Sequence, residues 1–345
     1  MTDNKMRFAI IGLDHWYTAI DLAKTMMDDP RVELVGLADA NEDRAREVAK
    51  QIGLSEYTTD FQKYTNDDSI DAIGSFITVD RNPEIVIEAA KAGKHIVSIK
   101  PFANTLEEGT AIVDAVRNTG VKFVPAETSL RESELHQYIK SLIDDGKLGD
   151  IVSGNFTLTS SLPQNWPGAP NDGGWWTDPS KVPGGAWIDH AIYKVDRLRW
   201  FLGEQVVRVT GRTANLIHKD LQVEDFGHAI VEFESGATFS IEDTWSAPAG
   251  AWRNTSVLVG TKAVISHDTL SPNFATYDLD GSSGWSSQPA PPDNSDFVGA
   301  LVDHFTDSGQ TTLGNVDDAW ENLAVCLAFY ESAQTGQTVD VRHLS

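Results

Sequence analysis

The sequence predicts a two-part α/β protein: an N-terminal doubly wound parallel sheet, then an α+β domain with a large, mainly antiparallel open sheet. In the first 126 residues, short apolar segments alternate with amphipathic helical segments, which is the order of right-handed βαβ units. From about residue 206, short strand-like segments are separated by turn sequences such as 234–236, which is typical of hairpins. We therefore expect domains at 1–126 and 127–345, with the final helices packing back on the first domain.

The elements of the first domain follow from local signals. The predicted strands are buried apolar runs, and the predicted helices carry apolar residues three or four positions apart. Asn41 is suited to cap the second helix, and Asn104 or Thr105 the last one, because their side-chain oxygens can accept hydrogen bonds from the first main-chain amides of a helix. The predicted strands are 6–12, 32–38, 70–77, 95–99 and 121–125, and the predicted helices are 16–27, 42–51, 83–92 and 106–118.

The second half differs in composition and in the length of its strands. A Pro-, Gly- and Trp-rich segment at 162–185 precedes a predicted helix at 187–202, and 268–293 is predicted to be a loop because Ser, Pro, Gly and Asp dominate it. Apolar stripes predict two closing helices. The other predicted helices are 132–145, 297–308 and 316–334, and the predicted strand segments are 151–159, 206–214, 228–245 and 255–267.

The composition excludes several classes of protein. With 27 Lys and Arg against 51 Asp and Glu, the net charge of -24 argues against nucleic acid and against an anionic membrane surface. The single cysteine, Cys326, excludes an internal disulfide and a cysteine-based zinc site, and the acids and histidines at 218–228 lack metal-ligand spacing, so no metal is expected. No window of about 18 apolar residues occurs and no basic leader precedes an apolar stretch, so we expect a cytoplasmic protein.

The turn after the first strand carries part of a dinucleotide-binding pattern. Gly12 supplies the tight turn, and Asp39 ends the second strand, where an acid binds ribose hydroxyls and favours NAD over NADP. Asp14 and Tyr17 occupy the second and third glycine positions, and Asp14 is also suited to cap the next helix, in competition with an anion. The local residues leave two interpretations open: a cofactor site or a degenerate one.

Lys100 follows the predicted strand 95–99 directly and precedes Pro101, which cannot continue a hydrogen-bonded ladder. In open α/β sheets this edge is where ligands bind, so an ammonium there is a candidate for substrate contact or proton transfer. The alternative is a solvated lysine.

The helix at 187–202 presents a polar face. Asp189, Tyr193 and Asp196 lie at positions i, i+4 and i+7, and a tyrosine near an ammonium has its pKa lowered, which suits a general base. A solvated or interface face is the alternative. His15 and His190 are the histidines nearest the expected cleft, and we interpret both as hydrogen-bonded neighbours. The tryptophans of 162–187 are suited to a sugar face or to a subunit interface.

Five stretches carry a resemblance over nearly the whole chain. They are AIIGL at 9–13, LVGLADAN at 34–41, IDAIGSFIT to AAKAGKHIVSIKPFANTLEEG at 70–109, GGAWIDHAIYKVDRLRWFLG at 184–203 and FYESAQTGQTVDV at 329–341. Together they resemble the Gfo/Idh/MocA oxidoreductase family. In that family a Glu-Lys-Pro motif ends a Rossmann strand and its lysine serves catalysis; Lys100 and Pro101 match, while Ile99 replaces the glutamate. The family's Asp-x3-His pair looks here like Asp189 and Tyr193.

The resemblance implies an NAD(P)-dependent dehydrogenase that acts on a sugar, polyol or related diol, as a homodimer or homotetramer. Tyr193 would exchange the hydroxyl proton, Lys100 would hold that oxygen, and Asp189 would position the substrate or the lysine. Two alternatives stay open: a member that uses bound NAD for elimination or hydrolysis, and a non-catalytic ligand-binding member. The expected cofactor-binding residues are Gly12, Leu13, Asp14, His15, Asp39, Thr78 and Lys100, and the expected substrate-binding residues are Lys100, Trp176, Asp189, His190 and Tyr193.

Overall fold

Two β-sheets organise the chain, whose computed structural model describes residues 5–281 and 283–344. The predicted domains, 1–126 and 127–345, therefore each include residues that lie outside the described ones. The first sheet has six strands, all paired in parallel: β1 (Met6–Ile11), β2 (Val32–Ala38), β3 (Tyr57–Thr58), β4 (Ala72–Ser75), β5 (His95–Ser98) and β6 (Phe123–Pro125). Their order is β3-β2-β1-β4-β5-β6, so the direction of winding reverses between β1 and β4. The predicted doubly wound sheet is confirmed, and ligands bind at such a switch point.

The second sheet has nine strands. They are β7 (Ile151–Thr159), β8 (Val206–Ala214), β9 (Phe226–Phe233), β10 (Thr238–Thr244), β11 (Arg253–Gly260), β12 (Val264–Asp268), β13 (Asn273–Tyr277), β14 (Trp285–Pro289) and β15 (Val339–Asp340). Their order is β14-β13-β12-β11-β7-β10-β9-β8-β15, and every pair except β7 with β10 is antiparallel. The predicted mainly antiparallel sheet is confirmed.

The helices match most of the sequence predictions. They are α1 (Trp16–Asp28), α2 (Glu42–Ile52), α3 (Gln62–Thr65), α4 (Asn82–Lys91), α5 (Leu106–Thr119), α6 (Glu134–Asp144), α7 (Ala186–Leu202), α8 (Phe297–Thr306) and α9 (Val316–Thr335). Asn41 caps α2 by accepting hydrogen bonds from the amides of Asp43 and Arg44. Thr105, rather than Asn104, caps α5, in a capping box with Glu108.

Two sequence predictions about elements are wrong. The segment 268–293 is not simply a loop, because it contains β13 and β14 at one edge of the large sheet. Phe274 and Thr276 of β13 are buried, so pairing with β12 and packing override a turn-rich composition. The helix predicted from residue 132 begins at Glu134, after a 3₁₀ helix at Ala126–Glu132.

Two compact units divide the described residues. One consists of the described part of Met1–Glu132 together with Ser180–Val182 and Asp296–Trp320, and it contains the parallel sheet. The other consists of Ser133–Pro179 and the described parts of Pro183–Ser295 and Glu321–Ser345, and it contains the large sheet. Within the described residues, no helix combines the length and the apolar character needed to cross a bilayer.

Candidate functional site

The turn after β1 requires glycine at position 12. Gly12 has a φ of +88°, and a Cβ there would lie 2.7 Å from the main-chain nitrogen of Ile77. Its own amide donates a 2.7 Å hydrogen bond to the carbonyl of Ala38 at the end of β2. The turn is therefore held tightly against the ends of two neighbouring strands, which is how a dinucleotide-binding turn is built.

Asp39 is the carboxylate around which this turn is arranged. Its side chain is 1% exposed and accepts hydrogen bonds from the amides of Leu13 and Asn41, both at 2.8 Å. Arg44, one turn into α2, donates to it from Nε at 3.0 Å and from Nη2 at 2.7 and 2.8 Å. Burial acts to lower the pKa of Arg44, but hydrogen bonding and the charges of Asp39 and Asp14 outweigh burial and leave it raised.

Asp14 does not cap α1, contrary to the sequence prediction. Its Oδ1 accepts a 3.0 Å hydrogen bond from Arg44 Nη2, and its Oδ2 accepts one of 3.2 Å from the amide of Thr78. The N-cap residue of α1 is His15, without a side-chain capping bond, and its Nε2 lies 3.4 Å from Tyr17 Oη. The carboxylate of Asp14 is thus paired with a cation, which reduces the repulsion that it would exert on a phosphate.

A cavity of about 440 Å³ lies at this edge of the parallel sheet, within the first unit. This volume is within the usual range for ligand pockets, and the cavity lies at the switch point where a doubly wound sheet binds its ligand. Residues lining it include Gly12, Asp14, Asp39, Arg44, Thr78 and Lys181. Four of these were predicted from sequence, whereas Arg44 and Lys181 were not.

The residues of this turn suit a dinucleotide. The glycine permits close approach, the carboxylate stands where ribose hydroxyls bind, and Arg44 and Lys181 offer positive charge. Because every oxygen of Asp39 already accepts at least two hydrogen bonds, a ribose hydroxyl reaches it only when Arg44, whose side chain is 21% exposed, rotates away.

Lys100 lies one residue beyond Ile99, whose amide donates a 2.9 Å hydrogen bond to the carbonyl of Ser75 on β4. The lysine is only 2% exposed, so the alternative of a solvated surface lysine is wrong. The described structure places it in the first unit, in the turn that follows β5. Leu13, His15 and Lys100 are not among the residues that line the cavity, although Leu13 and His15 belong to its turn.

Helix α7 carries the other predicted residues, in the second unit. Asp189 is buried, its Oδ2 accepts a 3.2 Å hydrogen bond from Trp245 Nε1, and His190 Nδ1 lies 3.0 Å from the same oxygen. Tyr193, one turn later, is half-buried and stacks on the His190 ring at 6.2 Å between centroids. Asp196 is buried and accepts a 3.0 Å hydrogen bond from Asn322 Nδ2, so neither acid lies on a solvated face.

Glu224 holds the first turn of α7. Its Oε2 accepts a 2.9 Å hydrogen bond from the amide of Gly185, and its Oε1 accepts bonds from the amide of Trp187 at 3.0 Å and from Tyr330 Oη at 2.8 Å. Burial raises the pKa of Glu224, although these hydrogen bonds oppose part of that rise. Burial also raises the pKa of Tyr330. A carboxylate at a helix N-terminus is favourable, so this cap fixes the turn that presents Asp189.

A buried ion pair lies beneath the same helix. Lys194 donates to Asp243 of β10, and both side chains are at most 3% exposed. Burial raises the pKa of Asp243 to about 7 and lowers that of Lys194, because desolvation disfavours both charges. The sequence carries a signal for the burial of Asp243, because the alternation of β10 places Phe239, Ile241 and Asp243 on one buried face.

The tryptophans of the segment 162–187 make two kinds of contact: Trp175 stacks on its neighbour Trp176, and Trp187 packs in the core. Trp175 and Trp176 stack with centroids 4.2 Å apart, and Trp176 is 1% exposed. Trp187 is fully buried, stacks on Phe329 at 3.8 Å and donates to the carbonyl of Ile241 at 3.3 Å, so it is a core residue and not a sugar platform. Whether Trp176 contacts a substrate stays a prediction.

A doubly wound sheet, a glycine turn at its switch point and an acid at the end of β2 define a dinucleotide-binding protein. Residues 6–127 match the model of the oxidoreductase family with an NAD-binding Rossmann fold, and residues 136–266 match that of the GFO/IDH/MocA C-terminal domain. The chain belongs to the Gfo/Idh/MocA family of oxidoreductases.

Individual relatives align over nearly the full chain. The scyllo-inositol 2-dehydrogenase (NAD(+)) of Bacillus subtilis is 28% identical over 98% of this chain and 97% of its own length. The D-xylose 1-dehydrogenase (NADP(+)) 2 of Haloferax volcanii is 26% identical over 90% and 92% of the two chains. A solved levoglucosan dehydrogenase, in complex with NADH and L-sorbose, superimposes with a TM-score of 0.85 at 23% identity, covering 99% of this chain and 100% of that one. This last likeness establishes the fold.

Proposed function

We propose that this chain is an NAD-dependent dehydrogenase acting on a hydroxyl-bearing carbon of a sugar, polyol or related diol. The observation that carries the proposal is the alignment with an NAD(+)-dependent inositol dehydrogenase over 98% of this chain and 97% of the relative. The family match over residues 6–127 and 136–266 supports it, because it covers both a cofactor-binding and a C-terminal region. NADP is the less favoured cofactor.

The first unit holds the cofactor in this proposal. Gly12 permits close approach, Asp39 binds ribose hydroxyls once Arg44 has rotated, and Thr78 and Lys181 line the same cavity. When bound, NAD supplies the carbon that accepts or returns a hydride. The remaining proposed cofactor contacts are Leu13, Asp14, His15 and Lys100.

The proton chemistry rests on side chains of this chain. Tyr193 exchanges the proton of the substrate hydroxyl, and Lys100 holds that oxygen and lowers the tyrosine pKa by its charge. Asp189, held by Trp245, positions the substrate or the lysine. His190 and Trp176 complete the proposed substrate contacts. We also propose that residues 1–126 serve the cofactor and residues 127–345 serve substrate and assembly.

The test is the absorbance of reduced nicotinamide at 340 nm during incubation with NAD or NADP and a panel of inositols, aldoses and anhydrosugars. We expect an absorbance increase with NAD and at least one member of the panel. NAD binding by calorimetry without any absorbance change would instead favour elimination or hydrolysis with returned cofactor. Absence of binding at millimolar NAD or NADP would favour a ligand-binding member and would contradict the proposal.

We further propose a cytoplasmic homodimer or homotetramer assembled through the open face of the large sheet. On β9 the residues alternate, and Ile230 points away from the α7 side and is 47% exposed. An exposed aliphatic residue in the middle of a strand suits an isologous contact. Sedimentation of the wild type as a dimer or tetramer, and of Ile230→Lys as a smaller species, would support this; a monomeric wild type would contradict it.

A further inference from the structure

Asn82, the first residue of α4, has a fully buried side chain whose amide makes three hydrogen bonds. Its Oδ1 accepts a 2.7 Å hydrogen bond from Ser75 Oγ on β4. Its Nδ2 donates to Ser98 Oγ on β5 at 2.9 Å and to the carbonyl of Phe102 at 2.8 Å. The chemistry fixes this orientation, because the opposite one would place the amide oxygen against the carbonyl oxygen of Phe102.

The two groups that accept hydrogen bonds from the side chain of Asn82 flank Lys100 along the chain. Ser98 lies two residues before the lysine and also contacts the carbonyl of Ile99, with 3.3 Å between the oxygens, while Phe102 lies two residues after it. One buried amide therefore joins both ends of the turn that carries Lys100. Asn82, Ser98 and Phe102 are each 0% exposed. If the hydrogen bonds of Asn82 are lost, water therefore does not replace them without rearrangement.

The same residue also connects this turn to the cofactor cavity. The main-chain amide of Asn82 donates to the carbonyl of Thr78 at 3.1 Å, and Thr78 lines the cavity. Because this bond uses the main chain, a substitution of the side chain leaves it in place. The side chain of Asn82 thus binds the turn that carries Lys100, and its main chain binds the cofactor cavity. A substitution of the side chain tests the first contact alone.

We propose that Asn82 is a positioning residue for Lys100: its amide holds the 99–101 turn so that the lysine is fixed relative to the end of the parallel sheet. This inference rests on the proposed catalytic use of Lys100. A displacement of about 1 Å in a reacting group can cost on the order of 100-fold in rate. Loss of the amide bonds is therefore expected to lower kcat while leaving the affinity for NAD nearly unchanged.

The experiment compares Asn82→Asp with Ser75→Ala. Asn82→Asp keeps the shape but removes both donors and places a carboxylate against the carbonyl of Phe102. Ser75→Ala removes only the hydrogen bond to the amide oxygen of Asn82, and it leaves both donors of Asn82 and the main-chain bond between Ile99 and Ser75 in place. We expect kcat to fall about 100-fold in Asn82→Asp and less than about threefold in Ser75→Ala, with NAD dissociation constants within about threefold of wild type. Asn82→Ala replaces Asn82→Asp if the latter does not fold.

A second measurement does not depend on turnover. In wild type Lys100 is 2% exposed, so its reductive methylation, followed by mass spectrometry of the folded protein, should be slow. We expect faster labelling of Lys100 in Asn82→Asp and wild-type labelling in Ser75→Ala. Wild-type labelling in both variants, or equal loss of kcat in both at equal stability, would overturn the proposal. If the wild type oxidises no member of the panel, the proposed function fails, while the labelling still decides the role of Asn82.

Discussion

The two units hold their acidic side chains in different ways. In the first unit, Asp39 and Asp14 at the cofactor cavity are bound by main-chain amides and by Arg44, whose side chain is 21% exposed. In the second unit, Asp243 is paired with Lys194, and both side chains are at most 3% exposed. The cofactor cavity therefore has a cation that can exchange partners, whereas the charges beneath α7 are enclosed.

This difference indicates a division of labour. Arg44 keeps 21% of its side chain in solvent and can turn outward when a ribose arrives, whereas Asp39 stays buried and needs the ribose hydroxyls to replace the bonds that it loses. An enclosed pair costs several kcal/mol to break and therefore fixes the helix on the sheet. We interpret the first unit as adaptable to its ligand and α7 as a rigid support for Asp189 and Tyr193.

Lys100→Ala tests the cofactor-side unit with the largest expected effect. In the proposed mechanism the ammonium of Lys100 holds the substrate oxygen, so its removal should lower turnover by about 10³-fold. NAD binding, measured by calorimetry, should stay nearly intact, because Lys100 is only one of several proposed cofactor contacts and the residues that line the cavity are unchanged. Unchanged turnover would remove Lys100 from the mechanism. Lys91→Ala, on the exposed side of α4, is the matched control.

Lys194→Met tests whether the buried ion pair with Asp243 fixes α7 on the large sheet. It leaves the buried carboxylate of Asp243 without its cation, and the free energy of unfolding in urea should fall by about 3–5 kcal/mol. The double variant Lys194→Met/Asp243→Leu removes both charges and should recover most of that loss. A loss below about 1 kcal/mol in the single variant, the value for an exposed pair, would contradict the contrast between the units.

The parts of this account that the sequence predicts are those encoded by near neighbours. The glycine turn, Asp39 and the caps at Asn41 and Thr105 follow from residues adjacent in sequence. The pairing of Lys194 with Asp243 spans 49 positions and needs the packing of α7 on β10. Composition alone also misses β13 and β14, because their pairing with the sheet edge decides their structure.

The hydrogen-bond and ion-pair partners of the predicted site residues also depend on tertiary contacts that the sequence does not reveal. Asp39 was predicted as a ribose ligand, but its ion pair with Arg44 requires the start of α2 to face the turn after β1. Glu224 is one of the acids at 218–228 to which the sequence assigns no role, yet it is buried and caps α7 from 39 positions away. Residue types and spacing thus indicate which groups carry chemistry, while tertiary contacts decide what holds them.

Arg44→Ala should change cofactor discrimination. Without the guanidinium, the carboxylate of Asp39 is free to accept the ribose hydroxyls of NAD and repels the 2′-phosphate of NADP. We expect the ratio of the NADP to the NAD dissociation constant to rise about tenfold, or about 1.4 kcal/mol. Lys50→Ala, which removes a charge from the exposed side of α2, should leave the ratio unchanged. A ratio that stays constant in Arg44→Ala would show that Arg44 does not govern access to Asp39.

Glu224→Gln should change only the pH dependence of the free energy of unfolding. Burial raises the folded-state pKa of Glu224 above that of the unfolded chain, so its contribution to stability is fully present below about pH 4.3 and is lost as pH rises through the folded pKa. The unfolding free energy of wild type minus that of the variant should therefore decrease with rising pH, by about 1.4 kcal/mol for each pH unit between the two pKa values. Glu47→Gln, at an exposed position of α2, should show no such trend.

Transfer of isotope tests the central claim most directly. The wild-type protein would be incubated with NAD and with the polyol or sugar found active in the absorbance screen, deuterated at its carbinol carbons, and the nicotinamide product analysed by mass spectrometry and NMR. The account predicts one deuterium at C4 of the reduced nicotinamide for each substrate molecule oxidised. Conversion of substrate with unlabelled, unreduced cofactor at the end of the reaction would contradict it.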